Sequence, residues 1–380
     1  MPPIKSFELP VTLIGHPFAP IGRGEDLRAS YRAFKAAGLQ PQIVNVFGGN
    51  GQDRDLQEEL GPALQPTSAG GVDVYCINGD EVEPILSHLG SRPPSRYSVV
   101  FPTWELPNYP RHWAQALERF DEVWAPSAFV RESIAPAVGR PVTTIPEPTG
   151  MRMSRFLGRR YFGIPESAYA FLFAFDLRSY YHRKNPQAVI EAYTQVARAR
   201  PTRDLALVVK MAGGDVRPEA AALMREELRS RAEAMGLSRM VVIERELTDT
   251  ETKNLVHCCD CFVSLHRSEG FGRFLAEAMY LGKPVIATAW SGNLEFMNPD
   301  VACLVGYRLI PVRDGEYPFW NDQMWADPNV DEAGEWMVRL VDQPGWGRRL
   351  GEGASRHIRS RFSYRAIGLQ YVHRLSEICN

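Results

Sequence analysis

Short apolar runs alternate with amphipathic stretches along almost the whole chain. The runs are rich in β-branched and aromatic residues and too short to be helices, so they predict strands. In the first half these strands fall over 9–14, 42–47, 72–77, 97–101, 121–125 and 141–145. The intervening stretches repeat their apolar positions every three to four residues and predict helices over 25–37, 80–89, 111–119 and 127–135. Gly38 follows the first helix, where a C-terminal glycine belongs. The pattern breaks over 146–167, a stretch carrying Pro146, Pro148 and Gly150, and then restarts. Strands are predicted over 169–175, 205–210, 240–244, 261–265, 284–288 and 302–306, and helices over 185–199, 217–235, 249–258 and 271–281. Thr248 and Glu251 have the spacing of a capping box. Residues 308–330 show no clear element but are rich in Trp, Tyr, Phe and Pro, and a loop of this length in a compact domain is often functional. The end, 331–378, reads as helices.

Strand–helix alternation predicts an α/β fold with parallel sheets. Two such series, separated by a Pro/Gly-rich stretch, predict two Rossmann-like domains. We place them at 1–165 and 166–355, with a C-terminal helix over 356–380 packing back on the first domain. Two such halves imply a cleft, where ligands tend to bind. The 380 residues suit this division. With 43 basic and 45 acidic residues the net charge is −2, which argues against a general nucleic-acid binder. The start, MPPIKSFELPVTLIGHP, lacks the pattern of a secretory signal, and no apolar run approaches the ~18 residues of a membrane span. A cytoplasmic protein is expected, with its six cysteines reduced. His257-Cys258-Cys259-Asp260-Cys261 has the wrong spacing for a zinc site and reads as a helix end running into a buried strand.

The chemistry concentrates in 264–297, SLHRSEGFGRFLAEAMYLGKPVIATAWSGNLEFM. Glu269 follows a strand. Gly270, Phe271 and Gly272 then form a turn that lets backbone approach a ligand, and Arg273 opens a helix containing Glu277. A helix start offers free N–H groups and a positive dipole end to a pyrophosphate. Glu277 is placed to accept hydrogen bonds from ribose hydroxyls, and Glu269 to face a sugar ring.

Glu269 and Glu277, with seven residues between them, resemble the two-glutamate motif of family 4 retaining glycosyltransferases, which have the GT-B fold. The words EGFG, AEAM and GKPVIAT are similar to that family over most of the C-terminal half. SLHRSEGFG resembles bacterial O-antigen and exopolysaccharide mannosyltransferases.

The resemblance implies roles elsewhere. In that family an Arg and a Lys six residues apart bind the donor diphosphate, and Arg178 and Lys184 have that spacing, with Arg183 as a neighbouring substitute. Two fixed cations neutralise a leaving nucleoside diphosphate without a metal ion. The family's first glycine loop approaches donor phosphate and acceptor, which makes Gly22, Arg23 and Gly24 candidates. Many members carry an active-site histidine where this chain has Thr103, Trp104 and Glu105. Glu105 is therefore a candidate for orienting a hydroxyl, a buried structural carboxylate is an equal reading, and His16 and His112 are alternatives. Asn293, in the turn Ser291–Glu295, either touches sugar or caps the following helix. The base is expected near 244–248. Asp53-Arg54-Asp55 is the one Asp-x-Asp and lies in a polar stretch, so it is assigned to the surface and no metal is expected.

Taken together, the resemblance implies a retaining, metal-independent hexosyl transfer, with GDP-mannose as donor and a glycan or lipid-linked glycan as acceptor. No cofactor is expected. The Arg- and aromatic-rich stretch 151–162 is a candidate for peripheral contact with the inner face of an anionic membrane, or a solvated linker. A nucleotide-sugar epimerase of the same fold and a silent nucleotide-sugar-binding protein are the rival readings, separated by acceptor-dependent release of nucleoside diphosphate.

Overall fold

The computed structural model describes residues 7–19, 21–46, 48–49, 53–90, 95–151, 153–234 and 240–379. Pro20 before the first glycine turn, Arg152 in the stretch 151–162 and Met235 at the end of the expected 217–235 helix lie outside the described residues. The chain forms two compact units, one comprising 1–150 and 359–380 and the other 151–358.

The first unit has six parallel strands: β1 (Val11–Gly15), β2 (Gln42–Asn45), β3 (Val72–Tyr75), β4 (Tyr97–Val100), β5 (Glu122–Ala125) and β6 (Val142–Thr144). Their order is β2-β1-β3-β4-β5-β6. Helices α1 (Gly22–Ala36), α2 (Arg54–Leu60), α3 (Val82–His88), α4 (Arg111–Leu117) and α5 (Ala128–Ile134) provide the crossovers. Helix α2 is not among the expected elements. Asp53, part of the Asp-x-Asp assigned to the surface, accepts a hydrogen bond from the Leu56 amide at 3.3 Å and caps this helix. Gly38 has φ +95°, as its position after α1 requires.

The second unit repeats the plan with β7 (Tyr169–Asp176), β8 (Leu205–Ala212), β9 (Met240–Ile243), β10 (Cys261–Ser264), β11 (Val285–Thr288) and β12 (Cys303–Val305). All are parallel, in the order β12-β11-β10-β7-β8-β9. The central strands β7 and β10 are apolar on both faces because helices cover both. The residues 308–330, which show no element in the sequence pattern, contain most of an antiparallel hairpin of β13 (Tyr307–Pro311) and β14 (Met324–Pro328). No residue of β13 is buried, and in β14 only Trp325, Ala326 and Pro328 are, so no continuous apolar run betrays them.

The helices of this unit are α6 (Tyr181–Lys184), α7 (Pro186–Ala199), α8 (Pro218–Ala234), α9 (Asp249–Cys258), α10 (Arg273–Tyr280) and α11 (Val330–Asp342). Thr248 and Glu251 make the expected capping box on α9. The Cys-rich stretch is the end of α9 leading into β10, and all six cysteines are unpaired. Arg159 ties the start of this unit to β10, reaching Asp260 at 2.6 Å and the Ala168 carbonyl at 2.6 Å.

Helix α12 (Pro344–Arg361) leads to α13 (Tyr364–Cys379), which packs on α1. The approach is close: a Cβ on Gly368 would stand 2.0 Å from the Ala33 carbonyl oxygen. Tyr371 lies against Phe34 and Trp124, with ring centroids 4.8 and 5.1 Å away.

Candidate functional site

The carboxyl ends of the second unit's central strands carry the chemistry. Glu269 lies past β10, buried, with Oε1 2.5 Å from Lys184 Nζ and Oε2 3.1 Å from Arg183. Both cations come from α6, which follows β7, the neighbour of β10 in the sheet. Burial alone would raise the Glu269 pKa, but Lys184, then Arg183, outweigh it and hold it down at about 2. Glu269 is thus a carboxylate throughout the neutral range. It is suited to accept hydrogen bonds or balance cations, and unsuited to donate a proton.

Spacing in the sequence pairs Arg178 with Lys184. The structure brings Lys184 and Arg183 together on Glu269, and Arg178 pairs with Asp176. Arg178 sits in a 3-10 turn at the end of β7, where its Nε contacts both Asp176 oxygens, at 2.9 and 3.0 Å. Gly213, with φ +74°, lies against this pair, and a Cβ there would be 2.6 Å from Asp176 Oδ1.

The loop after Glu269 is fixed by a second loop, 288–293. The Glu269 amide donates to Ser291 Oγ at 2.8 Å, and the Gly292 amide donates to the Glu269 carbonyl at 2.8 Å. Thr288 Oγ1 donates to the His266 carbonyl at 2.7 Å. Asn293 is fully buried: its Nδ2 donates to the Thr288 carbonyl at 3.0 Å, and its Oδ1 faces His266 Nε2 at 3.1 Å. That oxygen only accepts, so His266 carries its proton on Nε2 and Nδ1 accepts from Ser264 Oγ at 3.0 Å. Burial lowers the His266 pKa and keeps the ring neutral, as this network needs. Both ends of the Asn293 amide are therefore committed to loop shape. Ser291 has φ +78°, a conformation that favours glycine, held by these bonds.

Gly272 stands at the N-cap of α10 with φ +97° and no side chain caps that end. Gly270 and Phe271 complete the turn, with Phe271 buried against Phe296, ring centroids 4.8 Å apart. Arg273 is the first residue of α10, and Glu277, buried, is its fifth. The same unit holds a cavity of about 300 Å³ lined by Met211, Gly214, Asp215, Arg225, Glu244 and Glu246. It sits at the carboxyl ends of β8 and β9. Glu244 is paired with Arg225 at 3.0 Å.

In the first unit, Gly22, Arg23 and Gly24 are the opening residues of α1 rather than a separate loop. Arg23 is buried, donates to the Phe101 carbonyl at 2.5 Å and pairs with Asp26. A Cβ on Gly24 would fall 2.2 Å from the Ala19 carbonyl oxygen, so glycine is needed for the preceding loop to fold over the helix. Glu105 is half-buried near Asp80, whose pKa is raised by burial, then by Glu81 and Glu105. His16 meets Glu81 at 2.9 Å. Trp104 packs edge-on against Trp113, ring centroids 5.2 Å apart.

Sequence reasoning missed Ser291 and Gly292 as the brace of Glu269, and Glu316 and Tyr317, which pack on α6. The Ser-Gly pair after β11 was a visible signal for the first two. A hairpin with no buried residue in β13 left none for the others.

Residues 163–308 match the family of glycosyl transferases group 1. This stretch resembles glycosyl transferases group 1, and the fold is GT-B. Human alpha-1,3/1,6-mannosyltransferase ALG2 is 30% identical over 205 residues, 53% of this chain and 44% of that protein. The MMP alpha-(1->4)-mannosyltransferase of Mycolicibacterium hassiacum is 30% identical over 140 residues, 36% of this chain and 29% of that one. The chain thus matches less than half the length of either relative. Among solved structures, Anabaena Alr3699/HepE in complex with UDP and glucose aligns with a TM-score of 0.70 at 15% identity, covering 98% of this chain and 100% of that one. Sucrose-phosphate synthase from Thermosynechococcus elongatus aligns at 0.65 and 16%, covering 98% and 99%. The structural likenesses speak for the GT-B fold.

Proposed function

We propose that the protein transfers mannose from GDP-mannose to a glycan or lipid-linked glycan acceptor, with retention of configuration and without a metal ion. The observation that carries this reading is the Lys184–Glu269–Arg183 cluster beside the open start of α10. Cations held in place by a buried carboxylate need little reorganisation when a diphosphate leaves, and the helix start adds amide dipoles. Glu277 on α10 is the ribose partner and Arg178 a second contact for the phosphates. Gly270, Phe271, Gly272 and Arg273 form the floor under them. The mannosyl donor rests on the named relatives, both mannosyltransferases.

The cavity at the ends of β8 and β9 supports guanine. Carboxylates line it, and Glu244 is drawn off by Arg225, leaving Asp215 and Glu246 as acceptors. Guanine presents adjacent N–H donors that a carboxylate takes two at a time, whereas uracil offers one N–H between two carbonyls.

Membrane contact through 151–162 is part of this reading. Phe156 is 76% exposed and Tyr161 48% exposed on that stretch. Among the described residues no helix is long and apolar enough to cross a membrane.

The test is a thermal-shift panel of GDP, UDP, ADP and dTDP, followed by GDP release from GDP-mannose with and without octyl α-mannoside. A ligand that binds only the folded state raises apparent stability. The expected result is the largest shift with GDP and release that depends on acceptor and survives excess EDTA. A shift with UDP alone overturns the donor, turnover without acceptor overturns transfer, and loss in EDTA overturns metal independence.

A further inference from the structure

The segment that carries Arg183 and Lys184 is poorly equipped to hold its own shape. Helix α6 has four residues, too few for stability by itself. It is flanked by two non-glycine residues in the left-handed half of the map, Tyr180 at φ +64° and Asn185 at φ +51°. Such a segment persists only when its surroundings over-determine it.

Those surroundings come from the hairpin loop between β13 and β14. The Tyr317 ring lies 4.7 Å from the Tyr180 ring, centroid to centroid, and the Arg183 guanidinium stands 6.0 Å over Tyr317. Glu316 Oε1 is 3.8 Å from His182 Nδ1 and 4.0 Å from Arg267. Its other oxygen accepts from the Arg313 amide at 2.8 Å, which fixes the loop's own turn. The hairpin is anchored in turn to the Glu269 strand end. The Ala326 amide donates to the Arg267 carbonyl at 3.0 Å, and the Arg267 guanidinium lies 5.3 Å over Trp325. The Arg267 amide closes the circuit by donating to the Arg183 carbonyl at 2.8 Å.

We infer that Glu316 and Tyr317 are positioning residues: the hairpin loop is a strap that holds α6 so that Lys184 and Arg183 meet Glu269 and the leaving diphosphate. Neither residue touches the reacting atoms in this scheme. Both act through the two cations, so they set turnover rather than donor affinity. The inference rests on the reaction proposed above.

The experiment measures kcat and KM for GDP-mannose, by GDP release with octyl α-mannoside, in Tyr317→Ala, Tyr317→Phe, Glu316→Gln, Lys184→Ala and the Tyr317→Ala/Lys184→Ala double variant. Expected are a loss in kcat of about tenfold or more for Tyr317→Ala with KM within about twofold, and recovery to within about twofold of wild type in Tyr317→Phe. Glu316→Gln, an isosteric change that preserves folding, falls in the same direction. The double variant loses less than the product of the two single losses, because part of the strap's effect passes through Lys184 and part through Arg183. Normal kcat in both Tyr317→Ala and Glu316→Gln, beside a slow Lys184→Ala, overturns the strap alone, as do losses that multiply in the double variant. A wild-type rate from Lys184→Ala overturns the reaction and the strap together.

Discussion

Lys184 and Glu269, 85 residues apart in sequence, meet at 2.5 Å, while Arg183 holds the other oxygen of the same carboxylate. Removing the lysine leaves Glu269 with one strong partner and the departing phosphate with one cation fewer. Lys184→Ala is expected to slow turnover by about 10²- to 10³-fold, the usual effect of deleting one electrostatic stabiliser of a transition state. GDP affinity is expected to fall far less. Single-turnover rates beside equilibrium GDP binding separate the two, and an unchanged rate removes Lys184 from the mechanism.

Acid should reveal the same cluster. The Glu269 pKa is held at about 2 in the fold, against an ordinary value of 4.5. A carboxylate depressed in this way stabilises the fold above its unfolded pKa, and that contribution fades as pH falls through the folded value. The shift corresponds to roughly 3 kcal/mol at neutral pH. Glu269→Gln should therefore be less stable than wild type at pH 7, with the gap narrowing below about pH 4.5 and nearly closed towards pH 2. Denaturant melts across this range measure it. Glu251, also depressed to about 2 by Tyr161, Thr248 and Arg245 against the opposing effect of its burial, titrates in both proteins and cancels in the comparison.

Both sheets were legible because each buried strand is a short apolar run bounded by turn residues, as in 169–176 and 261–264. Asp53 and α2 were missed because a seven-residue helix with only Leu56 and Leu60 buried shows too little periodicity. Glu269 and Glu277 stood out through the glycine turn between them. The carboxylate's true partners were harder to see. Spacing picked out Arg178 and Lys184 as cations for the diphosphate and said nothing of Glu269; in the fold Arg178 pairs with Asp176, while the turn of α6 swings Arg183 towards Glu269. Local sequence does not encode a choice between two arginines that is decided by a residue 86 positions on. Asn293 likewise read equally as a sugar contact or a helix cap, and its burial against His266 is a tertiary fact.

The brace behind Glu269 makes a sharper structural prediction. A Cβ on Gly292 would lie 1.9 Å from the Gly270 carbonyl oxygen and 2.8 Å from that of Glu269. Backbone on both sides has little room to yield, so Gly292→Ala must displace the 269–272 turn. The expected cost is about 1–3 kcal/mol of stability, the range for overpacking. Donor binding should weaken as well, because Ser291 loses its register with the Glu269 amide. Gly61→Ala is the control, since a Cβ there meets nothing within 4 Å. Equal melting temperatures and equal GDP affinities for the Gly292 variant and wild type would show that the two loops are not coupled.

On the proposed reading, base selection falls to the cavity at the ends of β8 and β9. If Asp215 and Glu246 accept from guanine's paired donors, neutral amides in their place lose charge assistance and present an N–H group towards N–H donors. A site built to hydrogen-bond a ligand discriminates by leaving its own groups unpaired with the wrong one. Glu246→Gln and Asp215→Asn are therefore expected to weaken GDP binding, the more important of the two by about tenfold, with UDP affinity unchanged or improved. Glu244→Gln should matter less, because Arg225 already occupies that carboxylate. Isothermal titration with GDP and UDP reads the ratio directly. If all three variants keep the wild-type preference, this cavity does not read the base, and the guanine assignment loses its structural support while the cation cluster at Glu269 stands unaffected.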